Sequence, residues 1–268
     1  MRQRELALMA AVAIALCAVG CGGRNAKAGK IKTVEQVAPS YDFRDSAATR
    51  ERIALDQRLG LANNRIQSGD YAGAEQQVRE VLKKSPSSVD ALMFLGVIQQ
   101  GQGNPAAGET YRRTTDLAPQ RGDVLNNYGA WLCANGQAAE SLAWFDRALQ
   151  DENYAQAPAL ANAGGCALQA SQRERAVRDL RKALELEPAN AYALESMARY
   201  EVGQKAYFEA RAFIERRLAA APATASVLQL AIQIEQGLGD KVAASRYQQR
   251  LVKEFPDAAT ANPGANAL

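Results

Sequence analysis

Residues 122–154 read GDVLNNYGAWLCANGQAAESLAWFDRALQDENY. Tyr128-Gly129 lies inside one apolar-rich run, and Gly136 interrupts it. In the run that follows, Trp144, Phe145, Ala148 and Leu149 recur at helical spacing. Two helices joined by a short turn account for these features. Gly129 and Ser141 place a small side chain on each helix where the two would cross, because a larger one would overpack a close contact. Gly136 supplies the left-handed residue that ends the first helix.

The same arrangement recurs on both sides. Leu61-Ala62 pairs with Ala74, Leu95-Gly96 with Ala107, Ala163-Gly164 with Ala176, Met197-Ala198 with Ala210, and Ala231-Ile232 with Ala244. Gly69, Gly103 and Gly239 fall in turns like that of Gly136. Prolines that close one unit stand at Pro86, Pro119, Pro188, Pro222 and Pro256, with Asn153 in the slot where a proline is missing. The period is about 34 residues, the length of a tetratricopeptide repeat (TPR), and the unit ending at Pro119 is one residue short. The expected fold is all-α: a TPR superhelix of about six helix-turn-helix repeats over residues 46–258. No helix pair in such an array can bury its own apolar face, so stability comes from stacking on neighbours. Asp45 or Ser46 is the expected first N-cap, and Ile53, Leu55, Leu59 and Ile66 begin the first apolar face. At the other end, Lys241, Arg246, Gln249 and Lys253 make a polar outer stripe with no full capping helix after Pro256. Residues 259–268 read as a disordered tail.

The first residues read differently. Arg2 and Arg4 precede an uncharged apolar run from Leu6 to Val19, which is shorter than a membrane-spanning helix needs. It ends in Ala18-Val19-Gly20-Cys21, which resembles a bacterial lipobox. Residues 1–20 are therefore expected to be a lipoprotein signal peptide and Cys21 the lipidated first mature residue, against the alternative of an ordinary cleaved signal with an incidental cysteine. Residues 21–45 read as a tether, within which residues 22–40 are rich in Gly, Ala and Lys. By the same resemblance, the absence of Asp after Cys21 implies an outer-membrane, periplasm-facing location. In that oxidising compartment the remaining pair, Cys133 and Cys166, is expected to form a disulfide. They fall at nearly equivalent places in adjacent repeats, where bridging distance is reachable. The competing reading is two buried thiols filling small gaps.

Several chemistries are excluded. The chain of 268 residues has no histidine, which removes the commonest general base and metal ligand. A net charge of +3 with no basic block in the body argues against nucleic acid. Gly103 to Thr110 imitates a phosphate loop, but Glu109 stands where its lysine belongs and no strand precedes it. Glu185 and Glu187 lie among arginines on a helix, as a solvated face would. No catalytic constellation, metal, cofactor or small-molecule substrate is expected.

One resemblance is narrower than the repeat itself. It rests on Leu125 to Cys133, Ser141 to Leu149, Ala161-Asn162-Ala163-Gly164, Cys166-Ala167, Gly239-Asp240 and Phe255-Pro256-Asp257. With these segments the chain resembles the PilF/PilW family of type IV pilus biogenesis and stability lipoproteins, over essentially the mature chain. The resemblance implies a pilotin or pilus-stability factor that supports insertion and multimerisation of the outer-membrane secretin. A general periplasmic TPR adaptor, recruiting cell-wall enzymes or assembly factors, is the rival reading. Partner-binding residues should come from the first helix of each repeat. Leu59, Asn63, Met93, Phe94 and Val97 form an apolar set in the first two repeats, with the alternative that Met93 and Phe94 belong to the core. Asn126, Asn127 and Asn162 could bond an extended peptide's backbone, or else serve as capping or solvated residues.

Overall fold

The computed structural model describes residues 46–260. The expected signal peptide, Cys21, the tether to residue 45 and the tail from residue 261 lie outside the described residues. Within them the chain forms thirteen helices and no strand. Twelve of these make six consecutive pairs: α1 (Ala47–Gln67) with α2 (Tyr71–Lys84), α3 (Val89–Gly101) with α4 (Ala107–Leu117), and α5 (Gly122–Ala134) with α6 (Ala138–Ala148). They continue with α7 (Gln156–Gln169) and α8 (Arg173–Leu186), α9 (Ala191–Gly203) and α10 (Tyr207–Ala220), then α11 (Ala225–Leu238) and α12 (Lys241–Glu254). A single turn, α13 (Pro256–Thr260), follows and packs on α12. It takes in the first two residues assigned to the disordered tail, because Pro256 pre-sets the helical φ at the first helical position.

Local chemistry sets where the helices begin. Ser46 is the N-cap of α1, its Oγ accepting from the Thr49 amide at 3.0 Å. Asp70, Asn190 and Asp240 cap α2, α9 and α12 the same way, each at 2.9 Å. Each helix of a pair packs on its partner, the second helix of each of the first five pairs packs on the first helix of the next, and some first helices also meet each other, as α5 meets α7. The core is accordingly a series of clusters rather than one centre.

The small positions do what the repeat pattern predicts. A Cβ on Gly96 would lie 2.7 Å from the Tyr111 ring, one on Gly129 2.9 Å from Phe145, and one on Gly164 2.6 Å from Leu180. Each of these three glycines is thus the socket for a large side chain of its partner helix. Arginines add a second tie between units. Arg113, Arg147 and Arg216 each donate through Nη2 to the carbonyl of the proline that closes the preceding unit (Pro86, Pro119 and Pro188), all at 3.0 Å. Where Asn153 replaces the proline, Lys182 stands in the arginine's register and pairs with Glu185 instead.

Gly69, Gly103, Gly136 and Gly239 have positive φ in their turns. The fourth and fifth units fill the same slot with Ser171 at φ 60° and Lys205 at φ 59°. A left-handed residue with a Cβ is strained by about 1–2 kcal/mol, while glycine gives part of that back through its looser unfolded state. Lys205→Gly is therefore expected to stabilise the chain by about 0.5–1 kcal/mol. A urea midpoint at or below the parent's would refute that.

Candidate partner-binding groove

Residues 56, 59 and 63 of α1 lie on one helical face, being spaced by three and four. The repeat carries this face forward to 90, 93 and 97 on α3, and to 123, 126 and 130 on α5. Its first row is Asp56, Asp90 and Asp123, its second Leu59, Met93 and Asn126, and its third Asn63, Val97 and Ala130.

A pocket of about 390 Å³ opens on this face. It is lined by Asp56 and Leu59 of α1, by Asp90, Met93, Phe94 and Val97 of α3, and by Arg121, Asp123 and Asn127 at the start of α5. Five residues expected at a partner site (Leu59, Met93, Phe94, Val97 and Asn127) therefore come together. Most also touch the core. Leu59 and Phe94 pack against the cluster of Ala62, Val78 and Ile98, and Val97 packs against that of Tyr111 and Leu132. Met93 is 8% exposed, and the Asn127 amide lies 3.8 Å from its sulfur. The pocket floor is the outer skin of the core, so the alternatives of core and site describe the same side chains.

Three other expected residues lie apart. The pocket lining does not include Asn63, Asn126 or Asn162. Asn126 is buried, and its Oδ1 accepts from Asn162 Nδ2 at 3.0 Å, tying the third unit to the fourth. That bond uses on each other groups that an extended peptide would need.

The rim is acidic. Arg121 Nη2 lies 2.8 Å from Asp90 and 2.6 Å from Asp123, and its hydrogen bond holds the Asp123 carboxyl below the usual carboxylate range. Asp56 forms no ion pair with any described residue. The lining thus holds three carboxylates and one guanidinium, which is committed to two of them. The recurrence of aspartate at one repeat position is the sequence signal for this rim, distinct from the apolar and amide residues expected at the site.

Among the described residues there is no group of three or more potential metal ligands, and no helix is long and apolar enough to cross a membrane. Cys133 of α5 and Cys166 of α7 are both buried, with Cα atoms 5.9 Å apart and the sulfurs joined.

A tetratricopeptide repeat family model matches residues 59–121. The type IV pilus assembly protein PilF of Pseudomonas aeruginosa is 27% identical over 205 residues, covering 76% of this chain and 81% of that protein. The crystal structure of PilW, described as a widely conserved type IV pilus biogenesis factor, superposes with a TM-score of 0.67 at 27% identity. The match covers 78% of this chain and 97% of PilW. The chain is similar to PilF and PilW and shares the TPR fold. The solved Pseudomonas aeruginosa PilF agrees, with a TM-score of 0.64 at 25% identity over 80% of this chain and 99% of that one. These matches run nearly the full length of the PilW and PilF structures, so the likeness is not confined to one TPR motif.

Proposed function

We propose that the protein is a non-catalytic, lipid-anchored scaffold for type IV pilus assembly, held at the periplasmic face of the outer membrane through Cys21. Its partner is the secretin subunit, and its role is to promote secretin multimerisation and pilus stability. The observation that carries this reading is the apolar, acid-rimmed pocket of repeats one to three on a chain similar to PilF and PilW over most of its length. A pocket of this size receives one or two apolar anchors of an incoming segment. Burying such anchors is the usual source of interface energy, while charged groups at the rim steer and orient.

One complementation experiment tests both halves, in cells lacking the endogenous copy. Cys21→Ser should remove the protein from the outer-membrane fraction. Val97→Asp should lower heat-stable secretin multimers by about tenfold or more, the loss of one central anchor. Asp56 is exposed, so Asp56→Lys keeps the fold while reversing part of the rim, and should lower multimers to a smaller degree. If the anchored, folded Asp56→Lys and Val97→Asp proteins both leave multimers at the parent level, the pocket is not the secretin site. Normal fractionation of Cys21→Ser would overturn the anchor.

A further inference from the structure

A second pocket, of about 490 Å³, opens where the fourth and fifth repeats meet. Its lining includes Gly165, Arg173, Tyr192, Glu195, Arg199 and Gly203. In the repeat register Tyr192 occupies the row of Asp56, Asp90 and Asp123, while Gly165 and Arg199 occupy that of Val97. This pocket therefore lies on the same first-helix face as the first one. Its chemistry is reversed: where repeats one to three present carboxylates, repeats four and five present an aromatic ring and guanidinium groups.

The charges show which groups are free. Glu195 is the one acid in the lining, and it is already held by Arg199 at 2.7 Å and by Arg217 at 3.7 Å. Arg173 forms no ion pair with any described residue. It stands at the first position of α8, where the helix dipole disfavours a cation, so its charge does not serve that helix. The shape is specific as well. A Cβ on Gly165 would lie 2.4 Å from the Tyr192 hydroxyl, so only glycine lets that side chain lie across α7, and a Cβ on Gly203 would meet nothing. The result is a flat aromatic wall, open space beyond it, and an uncommitted guanidinium at the edge.

We infer that this pocket binds an extended protein segment bearing a carboxylate next to an apolar side chain, the carboxylate on Arg173 and the apolar group against Tyr192. An arginine fork suits a carboxylate in geometry and charge. Tyr192 offers apolar area that is 44% exposed and held in place at little further entropic loss. The inference holds whatever occupies the first pocket.

The test is an NMR titration of the full chain in detergent with N-acetyl-leucyl-glutamate α-amide, and with N-acetyl-leucyl-glutamine α-amide as its uncharged counterpart. Saturable shifts are expected at the amides of Gly165 and Gly203, with the glutamine probe about tenfold weaker. Arg173→Gln should weaken the glutamate probe by a similar factor, and Asp56→Lys should leave it unchanged. Absence of saturable shifts at the two glycines, equal affinity for the two probes, or an unaltered Arg173→Gln titration would each overturn the inference. None of these outcomes depends on secretin multimers, so its failure is separable from that of the first pocket.

Discussion

Phe145→Ala is expected to lower the unfolding free energy by about 3–5 kcal/mol, the range for deleting a fully buried aromatic side chain. Phe145 is 0% exposed and belongs to the cluster that joins the third and fourth repeats, with Leu142, Cys133, Cys166 and Ala176. Its ring also fills the space left by Gly129. Collapse around the missing ring is limited, because apart from Leu142 and Leu168 the cluster consists of alanines and cysteines with little reach. A urea titration followed by circular dichroism measures the loss, and a change under about 1 kcal/mol would show that the site relaxes freely. The socket relation has its own check. Gly129→Ala should be markedly less destabilising in the Phe145→Ala background than in the parent, because the atom that the new Cβ would strike is gone. Additive effects would refute the pairing.

What could be read beforehand divides along a physical line. The period, the small crossing residues and the four turn glycines were legible because each is a local demand: a close helix crossing needs a small side chain, and a left-handed residue prefers glycine. Ser171 and Lys205 escaped because stacking fixes the turn geometry and overrides the residue's own preference. The arginine ties to Pro86, Pro119 and Pro188 were hidden for a different reason, since each joins groups nearly a repeat apart in sequence. The asparagines show the limit most clearly. Asn126 and Asn127 are adjacent, and adjacent helical residues point about 100° apart. Only the angle at which α7 lies against α5 decides that Asn126 turns inward to Asn162 while Asn127 reaches the pocket. The pocket's apolar floor was legible as a cluster of types. Its acidic rim required aligning the units on one another, and so did the reversal of charge between Asp56 and Arg173.

Replacing both Cys133 and Cys166 with alanine is expected to lower stability by about 3–4 kcal/mol under oxidising conditions, and by far less when the parent is reduced first. The cysteines are separated by 33 positions, so their bond would close a loop containing all of α6. That constrains mainly the unfolded chain, by an amount that follows loop length. Its position matters as much as its size. Contacts in a repeat array pass only between neighbours, so one weak junction can let the two ends unfold separately. The junction of the third and fourth repeats lacks the arginine-to-proline tie, since Asn153 and Lys182 stand in those places. It is held instead by the Asn126–Asn162 bond, the 2.6 Å pair of Arg175 with Asp146, and the bridge from α5 to α7. Without the bridge, denaturation should broaden or split into two transitions, one for the repeats around the acidic pocket and one for those around Arg173. Alkylation and mass measurement of protein folded in the periplasm come first. Two reactive thiols at Cys133 and Cys166 would refute the bond, and a single unchanged transition in the alanine pair would refute its role at the junction.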